Sequence, residues 1–364
     1  MLKLIIIVSA LFFAVVSFIS VKYTRNSKSN FYILIYSRKY DNLKFENEKN
    51  EDLQMGDCHF TEGGAEKVRY ADVVVIEDLF YIPKRHSLDQ IFVFRSLESP
   101  LHTNFARLSN KEAINWTSTY RLDSDIPTPY GFFDSSRLEP STSLPDIKGK
   151  EFKVGVVAAW FVSNCDASNQ RLEFVRQLQN FMAVDILGKC GNSSICPKNT
   201  SDSKDCIRRL SHPYSFYLAF ENSHCKEYIT EKFFDVGLGF DWIPVVLGPS
   251  IEDYQRLSPP ESFIFVNAST SPKRLAEDLL SVFKNRSRFL EHFQWRRQGR
   301  LKKYSFFNLL CEKLMNGSDG KNYYKNINEW WHGTTECHAK PGGNVCKATG
   351  ICDVKEEKYQ YVPS

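Results

Sequence analysis

Phe216-Tyr-Leu-Ala-Phe-Glu-Asn-Ser-His-Cys-Lys-Glu-Tyr-Ile-Thr-Glu-Lys-Phe-Phe234, running on to Ile243-Pro-Val-Val-Leu-Gly248, decides the reading of this chain. An apolar run from Phe216 to Phe220 stops at Glu221, Asn222 and Ser223; a polar loop follows, and Thr230-Glu231-Lys232 opens a helix. A second apolar run, Ile243 to Leu247, stops at Gly248-Pro249. Short apolar runs bounded by turn residues and separated by a helix predict a βαβ unit. Ligands of such units sit beyond the carboxyl ends of the strands. The carboxylate, amide, hydroxyls and lysine of this stretch all fall there.

Upstream, Phe31 to Tyr36, Ala71 to Ile76 and Ile91 to Phe94 are β-branched or aromatic runs of the buried-strand kind. Glu139 to Lys150 mixes Pro, Ser, Thr and Gly without apolar periodicity and reads as a linker. Beyond it, Phe152 to Val162 predicts a strand, and Asn169 to Met182 a helix with Leu172, Val175, Leu178 and Phe181 on one side. Lys189 to Arg208 is polar and cysteine-bearing and reads as an irregular loop, while Leu275 to Phe283 and Phe289 to Leu301 read as helices. The pattern supports two α/β domains without internal repeats.

The chain has 364 residues and a net charge of +4. That length suits two domains, and the absence of a basic block interleaved with aromatics argues against nucleic acid. Leu4 to Val21 is uncharged and mostly apolar, and as a helix it would span roughly 27 Å, enough for a thin membrane of the early secretory pathway. A cleaved signal peptide and a retained anchor both fit. The run exceeds a usual signal core and no small-x-small cleavage site follows, which favours the anchor. Lys22, Arg25 and Lys28 outnumber Lys3, so positive-inside counting alone would not place the body in the lumen. Glycosylation sequons at Asn115, Asn192, Asn199, Asn267, Asn285 and Asn316, beside ten cysteines, point to a lumenal body. No Cys-x-x-Cys is present, which favours disulfides over zinc. A local bridge within Cys337, Cys346 and Cys352 is one arrangement.

The block from Phe216 to Phe234 resembles, without a gap, the donor-binding motif of the α1,3-fucosyltransferases (glycosyltransferase family 10), with its Phe-x-Leu-x-Phe-Glu-Asn-Ser core and Tyr-Ile-Thr-Glu-Lys continuation. Glu98-Ser-Pro, the run Asn115-Trp-Thr-Ser-Thr-Tyr-Arg-Leu-Asp-Ser-Asp-Ile126 and Pro129-Tyr-Gly extend the likeness, which covers about Gly56 to Cys311. The resemblance implies two Rossmann-like domains facing a cleft, the GT-B arrangement, behind one N-terminal transmembrane helix. It divides the chain into a cytoplasmic end (1–3), a signal anchor (4–21) and a stem (22–30). An acceptor-side domain (31–145), a GDP-fucose-binding domain (146–330) and a cysteine-bearing tail (331–364) follow. It also implies a Golgi type II membrane protein and a Cys58 to Cys311 disulfide.

The implied reaction moves L-fucose from GDP-fucose to O3 of an N-acetylglucosamine in a glycan, with inversion. It requires no cofactor, although a divalent cation such as Mn or Mg could stimulate it. Without a metal, the departing diphosphate must be neutralised by protein cations and amides. The resemblance places Arg171 and Lys232 at the family's diphosphate-binding positions, both near helix starts where an anion is favoured. It places Glu231 on the nucleotide sugar and Asn222 and Tyr228 in the donor pocket. Read locally, the same residues are a solvated arginine and lysine, a first-turn acid and loop hydrogen bonders, with Thr230 as an N-cap. Glu98, beyond the end of the Ile91 strand and before a Pro100 that holds Ser99 extended, matches the family's general base; alone it would be a solvated loop acid. His102 reads as a possible acceptor contact or as polar filler, and Trp330-Trp331-His332 as an anchor for the tail rather than a sugar platform. The segment Asp235 to Trp242 departs from the family pattern and is one residue longer. That departure leaves room for an alternative: a catalytically silent glycan-binding or retention protein on the same scaffold.

Overall fold

The computed structural model describes residues 30–36, 53–106, 113–136, 156–192, 203–211, 213–317, 323–333 and 337. The expected anchor at 4–21 and the linker at 139–150 lie outside these residues. Among the described residues no helix is long and apolar enough to cross a membrane.

The apolar runs of the first half form β1 (Phe31–Tyr36), β2 (Leu53–Met55), β3 (Cys58–Gly63), β4 (Val73–Ile76), β5 (Ile91–Ser96) and β6 (Trp116–Thr119). They align in the order β2-β3-β1-β4-β5-β6. Only β2 is antiparallel to its neighbour. β4 is buried along its whole length, the signature of a strand covered on both sides. Alternate side chains feed two clusters: Leu34, Val74, Ile76, Phe92 and Phe94 on one face, Ile33, Val73, Val75, Ile91 and Val93 on the other.

After β7 (Phe132–Asp134), the second sheet contains β8 (Val156–Phe161), β9 (Ala183–Leu187), β10 (Phe216–Phe220), β11 (Ile243–Leu247) and β12 (Ile264–Phe265). It is all parallel, in the order β12-β11-β10-β8-β9. Its helices are α1 (Arg171–Leu178), α2 (Ser203–Ser211), α3 (Ile251–Leu257), α4 (Pro272–Lys284) and α5 (Arg286–Glu291). α4 shows why such segments are helical. Ser271 caps it by accepting from the Arg274 N–H, Pro272 opens it, and Leu275, Ala276, Leu279 and Val282 form the buried stripe.

The chain then returns to the first sheet. α6 (Phe306–Met315) presents Phe306, Leu310 and Leu314 to one of its faces. Fully burying side chains of this kind stabilises by about 1.5–3 kcal/mol each. The Cys58–Cys311 disulfide fastens the helix there, as the resemblance implied. The other face is closed by Ile327, Trp331 and Cys337, together with Cys225 and Tyr228 from the second half. The core of the first sheet therefore includes residues from beyond 145 and from both sides of the boundary expected at 330. Trp331 is fully buried and donates its indole N–H to Thr103 Oγ1 at 2.7 Å, the anchor expected of this segment. Cys337 pairs with Cys225 and not within the local cluster. Cys165 pairs with Cys190.

Several elements differ from their sequence reading. Phe181 is 47% exposed because the helix ends at Leu178 and its period no longer governs the chain. Part of the expected 189–208 loop is α2, whose Ile207 packs inward beneath charged neighbours; so few apolar residues hide a helical period. The helix expected over Phe289 to Leu301 is broken. α5 ends at Glu291, a 3-10 turn covers Gln294–Arg297, and β13 (Arg300–Lys302) pairs antiparallel with β7. Gly299 permits that approach, since a Cβ there would lie 2.4 Å from the Asp134 carbonyl oxygen. The helix opened by Lys232 is a single π-helical turn, Lys232–Gly237, with Leu238 N–H bonded to Phe233 C=O at 2.8 Å. A π turn takes up one residue more than the α turn it replaces, which accommodates the longer segment. Trp242 closes it by donating to the Val236 carbonyl at 2.8 Å.

Candidate active site

From β8 the chain moves to β9 on one side, while β10 adds on the other. This is a topological switch point, the usual ligand position in an open parallel sheet. Arg171 sits there as the first residue of α1, after Gln170 in the left-handed region at φ 57°. Its guanidinium donates to the carbonyls of Phe220 and Asn164, tying together the carboxyl ends of β10 and β8. The side chain is 3% exposed and its Nε–H is buried without a partner. Burial pushes the guanidinium below its ordinary value, and Glu221 acts in the opposite direction. The local reading of Arg171 as a solvated arginine is thus replaced by a buried, incompletely satisfied donor at the switch point.

Glu221, which directly follows β10, was missed as a site residue. It is fully buried, and its carboxylate accepts from the Thr230 N–H at 2.8 Å, the Thr230 hydroxyl at 2.9 Å and Lys232 Nζ at 3.0 Å. Burial pushes the Glu221 carboxyl up, and Lys232 opposes the shift. Burial would lower the Lys232 ammonium, but Glu221 and Glu231 outweigh it and hold the lysine above its ordinary value. Lys232 remains 20% exposed at its side chain, and Glu231 Oε1 lies 3.4 Å from its Nζ. Thr230 is not the cap that the sequence suggested, because Glu231 occupies that position without a side-chain cap; the Thr230 hydroxyl instead bridges the acid and the lysine. The signal available in the sequence was an acid directly ending a wholly apolar strand.

Glu98 follows β5, and Ser99 is extended at φ −70° and ψ 151°, as Pro100 requires. Although Glu98 is exposed, Oε1 accepts from Tyr228 Oη at 2.6 Å, the Ser99 N–H at 2.8 Å and Asn222 Nδ2 at 3.3 Å. Burial alone would raise its carboxyl, yet these hydrogen bonds and the nearby His102 hold it below the usual value. Two of the three donors belong to the loop after β10, so the acid of the first sheet meets the second sheet's loop directly. That loop is also clasped at Glu227, which is buried in the left-handed region at φ 61°. Its carboxylate accepts from the Leu122 N–H at 2.8 Å and from Arg256 at 2.7 Å. A strained backbone of this kind costs about 1–3 kcal/mol and persists where surrounding contacts over-determine it.

Glu98, Asn222 and Tyr228 are therefore hydrogen-bonded together; Lys232, Glu221 and Glu231 form a second group; and Arg171 is electrostatically coupled to both Glu98 and Glu221. Among the described residues no cluster of three His, Cys, Asp or Glu side chains could hold a metal ion. The remaining candidates were sequons. Asn192, Asn267, Asn285 and Asn316 are exposed, and Asn199 lies outside the described residues. Asn115 requires a correction. It is 8% exposed, and its side-chain oxygen accepts from the Phe92 N–H and Arg85, both at 2.8 Å. A glycan there would have to displace the hydrogen bonds with which Asn115 holds Phe92 of β5 and Arg85. After deglycosylation by peptide N-glycosidase in heavy-oxygen water, peptide mass spectrometry is expected to find Asn267, Asn285 or Asn316 labelled and Asn115 unlabelled. Stoichiometric label on Asn115 would contradict this.

Two family models match the chain: glycosyltransferase family 10 (fucosyltransferase) C-terminal over residues 151–330, and fucosyltransferase N-terminal over residues 28–131. The chain is 36% identical over 283 residues to glycoprotein 3-alpha-L-fucosyltransferase A of Drosophila melanogaster, covering 75% of this chain and 54% of that protein. It is 35% identical over 268 residues to alpha-(1,3)-fucosyltransferase C of Drosophila melanogaster, covering 69% of this chain and 61% of that protein. The match thus spans little more than half the length of these curated relatives. A solved structure of an alpha1,3-fucosyltransferase with GDP-fucose aligns over 82% of this chain and 93% of that one, at 15% identity and a TM-score of 0.49.

Proposed function

Because the chain belongs to glycosyltransferase family 10, the fucosyltransferases, we propose that it transfers L-fucose from GDP-fucose to O3 of an N-acetylglucosamine in glycoprotein glycans. The observation that carries this reading is Glu98 of the first sheet hydrogen-bonded to Asn222 and Tyr228 of the donor-motif loop. In the proposed reaction Glu98 takes the proton from the acceptor O3–H as that oxygen attacks the fucose anomeric carbon. The bond from that carbon to the diphosphate oxygen breaks on the opposite side, so configuration inverts and GDP leaves. Arg171 and Lys232 neutralise the leaving diphosphate, with Glu231, Asn222 and Tyr228 around the donor. Two mainly parallel sheets meeting at their strand ends support a GT-B arrangement. Sequons on exposed surface and interlocking disulfides support a lumenal body, anchored in the Golgi as a type II protein. Divalent cations would stimulate the reaction by acting on the leaving diphosphate.

The test is an assay of the purified protein with GDP-fucose and a panel of defined glycans, differing in core, antennal and disaccharide-repeat N-acetylglucosamine. Transfer to O3 of one acceptor class is expected. Neither transfer nor GDP binding would leave the silent-scaffold alternative in its place.

A pH dependence follows from the depressed Glu98. Its carboxylate persists below the ordinary carboxylate range, and the acidic limb of kcat/KM reports the free enzyme's base. That limb is expected below the usual value, and Tyr228→Phe, which removes the shortest hydrogen bond, is expected to move it upward. A limb unmoved in Tyr228→Phe would show that Glu98 is not the group titrating. For folding the sign is the same: the Glu98 contribution is present above its unfolded value and is lost as pH falls through the folded one.

A further inference from the structure

The segment following Glu98 has a geometry that the transfer reaction does not use directly. Pro100–His102 forms one 3-10 turn, in which residues three apart eclipse. His102 N–H closes the turn on the Ser99 carbonyl at 2.9 Å, and the imidazole Nδ1 stands 3.0 Å from Ser99 Oγ. Ser99 is fully buried, and its hydroxyl lies 2.9 Å from the hydroxyl of Ser223, also fully buried, across the junction of the two sheets. Ser223 Oγ donates to Asn222 Oδ1 at 3.2 Å, and Asn222 Nδ2 donates to Glu98 Oε1 at 3.3 Å. Ser223 Oγ also lies 3.2 Å from His102 Nδ1.

Each serine supplies one proton, which restricts the directions these contacts can take. With a proton on His102 Nδ1, every group has a single consistent role. Nδ1–H donates to Ser99, Ser99 to Ser223, Ser223 to the Asn222 oxygen, and the Asn222 amide to Glu98. We infer that His102 Nδ1–H heads a directed hydrogen-bond chain through Ser99, Ser223 and Asn222 that ends on Glu98 and sets the catalytic base against the donor loop. His102 is a positioning residue in this scheme, and the inference rests on the proposed role of Glu98 as base. The chain orients the Asn222 amide: with Oδ1 held by Ser223, the NH₂ group must face the carboxylate. It also crosses the two sheets with side chains alone, so it forms only when they are in register. Chains of hydrogen bonds polarise one another and act as a unit.

The test combines kinetics with a spectroscopic signature. His102→Ala is expected to lower kcat about tenfold, a fraction of the roughly 10²–10⁴-fold that a general base supplies, with GDP affinity by calorimetry changed less than twofold. His102→Asn, whose amide can donate from a similar position, is expected to recover most of kcat. Ser223→Ala should match His102→Ala, and the double variant should be no worse than either single one, because the groups act in series. In a protein carrying ¹⁵N-histidine, the His102 resonance, assigned by its loss in His102→Asn, should show Nδ1 protonated and Nε2 bare, and Ser99→Ala should shift it. Additive losses, kcat of His102→Ala within twofold of the parent, or an Nε2–H tautomer would each overturn the chain. The resonance is readable even in a protein that transfers nothing, so failure of this inference is distinguishable from failure of the proposed activity.

Discussion

Glu98→Gln is expected to abolish transfer while leaving GDP binding intact. The substitution is nearly isosteric, and its amide oxygen can still accept from Tyr228 Oη and the Ser99 N–H, which hold Glu98 at 2.6 Å and 2.8 Å. The local structure therefore has little reason to change. What disappears is the capacity to take a proton from the acceptor hydroxyl. General-base groups contribute about 10²–10⁴-fold to rate, so kcat should fall by at least two orders of magnitude. Calorimetric GDP affinity should stay within a few-fold, because Glu98 holds no part of the diphosphate in the proposed reaction. Full activity in Glu98→Gln would remove Glu98 from catalysis, and lost GDP binding would move it into the donor pocket.

Lys232→Ala carries the second large effect, and the structure makes it a double one. Lys232 is the cation paired with Glu221, whose side chain is 0% exposed. Removing one member of a buried pair costs about 3–5 kcal/mol, because the other charge is left uncompensated. The variant is therefore expected to lose both stability and GDP affinity, and a binding measurement alone would confuse the two. Glu221→Gln in the same chain separates them. The double variant should recover much of the thermal stability, since a neutral amide can still accept from Thr230, but not the GDP affinity. Lys232→Arg should retain part of both. Recovery of GDP binding in the double variant would assign Lys232 to folding and not to the donor.

The parts of this protein that were legible in its sequence are those encoded locally. Parallel strands buried on both sides must be unbroken apolar runs, so β4, β5, β10 and β11 could be read within a residue or two. Their ends, where polar residues begin, marked the site. Glu98 stood out by its place beyond the end of an apolar run and by the resemblance of Glu98-Ser-Pro and the runs after it to a family motif. Glu221 did not, since an acid at a strand end has the same letter whether it is solvated or paired under a lysine. The sequon at Asn115 is likewise a local pattern without information about burial. The Cys225–Cys337 pair and the return of α6 to the first sheet join residues far apart in sequence, and nothing nearby announces them. The π turn at Lys232–Gly237 was visible only as an extra residue.

The late arrival of α6 and the Trp331 segment on the first sheet has a consequence for synthesis. Domains generally fold as they emerge, amino-terminal first. Here the leading half displays both sides of a largely parallel sheet long before Phe306, Leu310, Leu314 and Trp331 are available to cover them. Contacts of such sequence separation form slowly, and exposed strand faces invite misassociation meanwhile. Until the residues from Phe306 to Trp331 have emerged, the leading half is therefore exposed to misassociation. A ribosome stalled before Phe306 would hold an aggregation-prone half, however intact its own strands.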